Sequence, residues 1–169
     1  MGSLWAANPG DLDTSFGGVG YVVEHTVASG DMYDSARSIV QQADGKLVVA
    51  GATQGYGSGA SDLAVVRYLS NGMFDTTFGY NDLPGMTRIA VGKSWSIANQ
   101  VVIQPDNKIL LVGTCEDDTY PLYRRICLVR LETDGRLDSS FGGGDAGYRT
   151  VLWCAATNRA LASWWVCLS

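Results

Sequence analysis

The chain has 169 residues, of which 46% are hydrophobic and 17% are charged, enough apolar material for one domain or a small repeat array. Its net charge of −5 argues against nucleic-acid binding, which depends on clustered Lys and Arg side chains. The 21 glycines are typical of short strands joined by tight turns. The uninterrupted apolar runs, including those within residues 151–169, are too short for a bilayer, so no membrane span is predicted.

One eight-residue block recurs three times along the chain. It reads GDLDTSFG at 10–17, GMFDTTFG at 72–79 and GRLDSSFG at 135–142, at intervals of 62 and 63 residues. A second block, DGKLVVAG at 44–51, returns as DNKILLVG at 106–113, again after 62 residues. Because separate blocks share one period and one order, we predict a tandem repeat protein.

Taken in chain order, residues 1–33 are predicted to be the tail of a preceding repeat, including its outer strand. Residues 34–95 form the first complete repeat. Asp44-Gly45 and Asn71-Gly72 separate apolar runs within it, and such dipeptides favour hairpin turns with positive φ. The predicted strands of this repeat lie at 35–42, 46–51, 62–70 and near 87–91.

Residues 96–157 form the second complete repeat, and residues 158–169 are predicted to be the first strand of a truncated one. Four short antiparallel strands are the size and order of one propeller blade. The small residues Ala36 and Ala98 suit the innermost strand. The middle strands are continuous apolar runs, which indicates burial on both faces and favours stacked blades over a sandwich. These runs are Leu47–Ala50, Leu63–Val66, Ile109–Val112 and Ile126–Val129.

The sequence thus predicts an all-β fold of propeller blades in an incomplete ring, with about two full blades plus partial repeats. A closed ring typically needs four to eight blades. Open ends would expose apolar faces and unpaired strand edges. Two explanations remain open: copies of the chain associate so that their blades complete a ring, or neighbouring repeats of a longer protein do so.

The repeat resembles a known family. Ala36-x-Ser38, Gln42-Ala-Asp-Gly-Lys46 with LVVAG, DLAVVRY and NGMFDTTFG are similar to the delta-60 repeat, over about residues 10–150. The resemblance implies β-propeller blades and implies no common activity. The second copy departs from the pattern at Asn107, where the family usually has Gly. Asn tolerates the left-handed conformation, so we expect the turn to survive.

One acidic position recurs in the three blocks, at Asp13, Asp75 and Asp138. These carboxylates either bind calcium or another ligand, or they cap their own turns through backbone N–H groups. A calcium ion needs six to eight oxygen ligands, and the second block has no neighbouring acid to supply them. We therefore predict structural turn residues, and neither a metal site nor a cofactor.

No catalytic residue is predicted. His25 is the single histidine, and its neighbour Glu24 should point to the opposite face of a strand. The chain has no GxSxG elbow and no glycine-rich phosphate loop before a helix. The chain is therefore expected not to be an enzyme.

Four cysteines are present, without the spacing of a metal site. Cys115 and Cys127 lie on either side of a predicted hairpin loop, so they can face each other across two strands. A disulfide and a pair of buried free thiols are both compatible with this placement.

Five residues in loops or at strand ends are candidates for ligand binding: Tyr56, Trp95, Asp117, Tyr120 and Tyr123. Aromatic rings beside acidic groups can stack on sugars or anchor a protein partner. We therefore expect a non-catalytic binding or scaffold module, secreted or at the cell surface, with a glycan or protein ligand. The alternatives are a fragment of a propeller-type hydrolase and a purely structural array.

Overall fold

A computed structural model of the chain shows two antiparallel β-sheets packed face to face. The described residues are 8–23, 34–54, 60–80, 84–91, 95–116, 124–142, 148–153 and 166–167, the last two ranges as backbone only. Within these ranges there is no helix. The predicted all-β architecture of four-stranded blades in an unclosed arrangement is confirmed for this part of the chain.

The first sheet contains four strands in the order in which they occur in the chain. These are β1 (Asp34–Gln41), β2 (Leu47–Gln54), β3 (Ser61–Tyr68) and β4 (Met86–Ile89). Every neighbouring pair is antiparallel. The sheet lies within the predicted first repeat, 34–95.

The second sheet repeats this order. Its strands are β5 (Ser96–Ile103), β6 (Ile109–Glu116), β7 (Arg124–Leu131) and β8 (Tyr148–Trp153), followed by the two-residue β9 (Val166–Cys167). β9 pairs antiparallel with β8. The sequence predicts instead that 158–169 opens a new blade; here its last part bonds to the free edge of β8, whose backbone groups need partners. Residues 158–165 lie outside the described part of the chain.

The hairpin turns have the backbone that their sequences predict. Gly45 and Gly72 have φ of 87° and 85°, and Asn107 has φ of 64°. Asn107 therefore adopts the left-handed conformation that Gly45 adopts in the first repeat. In both turns the preceding aspartate accepts the backbone N–H of the following lysine, at 3.2 Å.

A β-bulge recurs at the innermost strand of each sheet. It lies between Ala36 and Ser38 in β1 and between Ala98 and Gln100 in β5. The opposing glycine of the next strand follows the same period, and each lies against the backbone of the bulged strand. A Cβ atom would come within 1.7 Å of a carbonyl oxygen at Gly51 and within 2.1 Å at Gly113, which is why only glycine fits there.

The core lies between the two sheets. It includes Val48, Ala50, Leu63 and Val65 from the first sheet, Phe78 from the block that follows β3, and Ile109, Leu111, Cys127, Val129 and Leu131 from the second sheet. β3 is buried on both faces over Leu63–Arg67, as predicted. For β2, β6 and β7 that prediction is wrong, because burial alternates over Leu47–Ala50 and along β6 and β7. No described segment covers the outer face of β6 and β7.

Candidate functional site

Two repeat blocks carry an ionic cluster centred on a buried aspartate. Asp75 accepts a hydrogen bond from Arg67 Nε to its Oδ2 atom at 2.8 Å, and Lys46 Nζ lies 3.0 Å from the same oxygen. The second cluster repeats this arrangement around Asp138. Its Oδ2 atom lies 2.7 Å from Arg130 Nε and 2.8 Å from Lys108 Nζ.

The other carboxylate oxygen closes a local turn in every copy of the block. Thr77 donates its backbone N–H and its hydroxyl to Asp75 Oδ1, at 3.1 and 2.5 Å. Ser140 makes the same two bonds to Asp138, at 2.9 and 2.6 Å. In the first block Ser15 does so to the exposed Asp13, also at 2.9 and 2.6 Å. The structure thus places all three aspartates in the predicted turns.

These contacts hold the aspartates in their charged form. Burial alone would raise the pKa of Asp75, but hydrogen bonds from Thr77 and Lys46 and the charge of Arg67 outweigh it and hold this pKa far below its usual range. Hydrogen bonds from Lys108 and Ser140 do the same for Asp138. A carboxylate that stays ionised and fully paired is a poor general acid or base near neutral pH.

Each cluster also holds the aromatic ring of its block. The Arg67 guanidinium lies 4.5 Å from the centroid of the Phe78 ring, and Arg130 lies 4.6 Å from that of Phe141. Phe78 is fully buried, whereas Phe141 is half-buried. The two copies differ because the second sheet covers Phe78, and no described residue range provides a further sheet over Phe141.

The first cluster fastens the two sheets together. Arg67 Nη1 donates to the carbonyl of Thr133 at 2.7 Å, and the Gly79 N–H donates to that of Asp134 at 2.9 Å. The Thr87 hydroxyl donates to the carbonyl of Gly135 at 2.8 Å. All three acceptors belong to the hairpin turn that follows β7. The block of one repeat therefore docks on the turn of the next.

The arginines and lysines of these clusters are absent from the sequence prediction. A signal for them exists, because Arg67 and Arg130 are 63 residues apart and Lys46 and Lys108 are 62 apart. They therefore recur with the period of the aspartates that they bind. Within the described ranges, no group of three or more His, Cys, Asp or Glu side chains is arranged to hold a metal ion.

The opposite end of the sheets carries Trp95 and the strand ends that flank the other predicted ligand residues in the sequence. The connections 55–59, 92–94 and 117–123 all lie between strand ends at this end, which we call the loop end. A bridge between Ser61 and Trp95 brings the two sheets together here. Of the five candidates, Tyr56, Asp117, Tyr120 and Tyr123 lie outside the described residues, and Trp95 lies within them.

Trp95 is half-buried and is held by the second sheet. Its carbonyl accepts the backbone N–H of Glu116 at 2.8 Å. The Arg124 guanidinium lies 4.9 Å from the centroid of its ring, and Arg124 Nε donates to Glu116 Oε1 at 3.3 Å. Glu116 ends β6 and Arg124 begins β7, so Trp95 lies directly beside the two ends of the connection 117–123.

A disulfide joins Cys115 and Cys127, with their Cα atoms 5.9 Å apart. The two residues are not directly opposite, since Cys115 pairs with Arg125 and Cys127 pairs with Gly113. They are diagonal neighbours on the same face of the β6–β7 pair. Both are buried, and of the two alternatives left open by the sequence the structure contains the disulfide rather than free thiols. The bond crosslinks the two strands at the base of the connection 117–123.

Comparison with known proteins identifies the repeat. No curated protein and no solved structure matches the chain significantly. Within the described ranges, no helix is long and apolar enough to cross a membrane. Residues 42–78 and 104–141 match a family described as "Domain of unknown function (DUF5122) beta-propeller". Each match runs from the turn before the second strand of a sheet to the phenylalanine of the block. The two complete sheets are therefore β-propeller blades, and their repeat is similar to the one that this family describes.

Proposed function

We propose that this chain is a non-catalytic, extracellular binding module that presents a ligand site on its loop end. The observation that carries the proposal is the construction of that end. Trp95, the Arg124–Glu116 ion pair and the Cys115–Cys127 disulfide together surround the base of the connection 117–123. This connection contains three of the five predicted ligand residues, and Trp95 is a fourth.

The preorganisation of the loop end favours binding. A disulfide and an aromatic–arginine contact at the base of a connection limit the conformations of its two ends, which lowers the entropy lost when a ligand is bound. The residues are also of a suitable kind, since aromatic rings stack on the apolar faces of sugars and anchor protein partners. We propose a glycan or a protein as the ligand.

Two further observations support the remaining parts of the proposal. Disulfides persist in oxidising compartments, so the Cys115–Cys127 bond favours a secreted or cell-surface location. The repeated aspartates Asp75 and Asp138 are ion-paired within structural clusters in the two complete repeats. Their pairing supports a role without catalysis and leaves no specific observation in favour of the hydrolase alternative.

A glycan array, probed with and without calcium, tests the proposal directly. We expect binding by the wild-type chain and at least a tenfold loss of affinity in Trp95→Ala, because truncation of an aromatic hot-spot residue costs about 2 kcal/mol or more. Tyr80→Ala is the matched control, since Tyr80 is an exposed aromatic residue that lies away from the loop end.

If the array is negative, pull-down with biotinylated extracellular proteins, repeated with both variants, tests for a protein ligand. A Trp95→Ala variant that binds as well as the wild type would contradict the placement of the site. Absence of binding in both assays would instead favour a purely structural array.

A further inference from the structure

Each sheet has one face that is not covered by the other sheet. We call the uncovered side of the first sheet the front face and that of the second sheet the back face. The front face carries Ile39, Leu47 and Val49. The back face carries Val102, Leu110, Val112, Ile126 and Leu128. Both sets follow from strand alternation, because their sequence neighbours point into the core between the sheets.

The internal repeat shows what each of these faces packs against when a neighbour is present. Ile39 of the front face is 61% exposed, whereas Val101, at the same position of the second repeat, is 4% exposed because it packs against the first sheet. Ile126 of the back face is 42% exposed, whereas its counterpart Leu63 is completely buried against the second sheet. The difference is therefore in the neighbour, not in the type of residue.

The two faces are complementary by construction. The residues of the back face occupy the same repeat positions as the residues with which the first sheet packs on the second. The residues of the front face occupy the same repeat positions as the residues with which the second sheet packs on the first. Their sheets are the two ends of one stack, so the front and back faces of a single chain point away from each other. A second copy of the chain offers each of them the surface that the intramolecular interface already uses.

We propose that copies of this chain associate head to tail, with the back face of one copy packed on the front face of the next. The contact continues the established interface between the two sheets. Two copies would supply four complete blades, which reaches the range of closed propellers. This inference does not depend on ligand binding at the loop end.

Residues 8–23, the described part of the tail of the preceding repeat, limit where on the front face the contact can lie. The Gly17 N–H donates to the carbonyl of Asn71 at 2.8 Å, as Gly79 does to Asp134 in the next repeat. The tail therefore already occupies the hairpin turn at Gly72. Among the described residues of β1 and β2 on the front face, Ile39 is exposed and Leu47 and Val49 are half-buried, so the contact is centred on Ile39 in one copy and on Val102 in the other.

The experiment is size-exclusion chromatography with light scattering over a range of concentrations. We expect a wild-type mass that rises above the 18.0 kDa of one chain as the concentration increases. Ile39→Asp damages every front face and Val102→Asp damages every back face, so each variant alone should remain monomeric. Both positions are exposed in the single chain, and circular dichroism checks that the variants are folded.

Mixing the two variants tests the head-to-tail arrangement. Ile39→Asp keeps an intact back face and Val102→Asp an intact front face, so an equimolar mixture should give a heterodimer of about twice the single-chain mass that grows no further. Met73→Asp is the control and should associate like the wild type. Met73 is exposed, and its counterpart Arg136 stays exposed although its sheet is packed against a neighbour.

Three outcomes would overturn the proposal. A wild-type chain that stays monomeric at every concentration would show that the faces do not associate. Association of either single variant at the wild-type level would show that its face is not used. Monomeric single variants whose mixture also stays monomeric would exclude the head-to-tail contact.

Discussion

Replacement of the phenylalanine in the two matched blocks measures how much stability the contact between blades provides. Phe78 and Phe141 occupy the same repeat position, and an arginine lies over each ring at nearly the same distance, 4.5 and 4.6 Å. Phe78 is covered by the neighbouring sheet, where its ring lies against Gly135, and Phe141 is half-buried. The Phe141→Ala variant is therefore an internal control for Phe78→Ala.

The expected magnitudes follow from burial. Truncation of a fully buried phenylalanine costs about 3–5 kcal/mol, since apolar contacts are lost and a cavity is left behind. We expect about 4 kcal/mol of unfolding free energy to be lost in Phe78→Ala. The half-buried Phe141 should lose about half of this, about 2 kcal/mol, because less apolar area is removed from contact. The arginine–aromatic contact contributes to both variants and cancels in the comparison.

Urea denaturation of both variants and the wild type, followed by circular dichroism, gives the two losses. The comparison is made at the lowest usable protein concentration, so that association between chains does not add to the measured stability. Equal losses in the two variants would refute the reasoning, because they would mean that the neighbouring sheet contributes nothing to the environment of Phe78.

Two further predictions concern acid stability and the disulfide. Because the folded-state pKa of Asp75 is held below its ordinary value of about 3.9, its stabilising contacts are fully present above that pH and are lost as the pH falls below it. The wild-type urea midpoint should therefore drop between pH 6 and pH 3, and Asp75→Asn should reduce that drop; an unchanged pH dependence would contradict this assignment. The Cys115–Cys127 bond closes a short loop with a sequence separation of 12, and its loss in the double variant Cys115→Ser/Cys127→Ser should remove about 3 kcal/mol. Thermal unfolding measures this loss, and a wild-type chain in which all four cysteines react with iodoacetamide before reduction would show that the bond is absent.

Much of the fold can be predicted from the sequence because the sequence contains two complete copies of the repeat. The glycines and asparagine at the turns predict the hairpins, and the 62-residue period fixes which strands correspond. Burial could not be predicted to the same depth. Ile109–Val112 and Leu47–Ala50 are equally apolar, but which side of each strand is covered depends on how many sheets are stacked on it.

The ionic clusters show a second limit of the sequence. Arg67 and Asp75 are only eight residues apart, yet they meet because the chain reverses at Gly72 and the backbone N–H of Asp75 donates to the carbonyl of Arg67 at 3.0 Å. Lys46 reaches the same carboxylate from another hairpin. Such a contact depends on the three-dimensional arrangement of two turns, and the spacing of residues along the sequence does not predict that arrangement.

The two ends of the sheets differ in how strictly they repeat, and this difference bears on function. At the end of the sheets that carries the hairpin turns, Lys46, Arg67 and Asp75 have counterparts in Lys108, Arg130 and Asp138, because each repeat must dock on the next in the same way. At the loop end the corresponding connections, TQGYGSGAS at 53–61 and CEDDTYPLYR at 115–124, differ in composition and by one residue in length. Docking between blades places no such demand on these connections. The disulfide also lies at this end and lacks a counterpart in the first repeat, where Thr53 and Ala64 stand at the positions of Cys115 and Cys127. A ligand that distinguishes this protein from other stacks of similar blades would therefore bind at the loop end. For this reason the Trp95→Ala variant should affect ligand binding alone, and the Ile39→Asp variant should affect self-association alone.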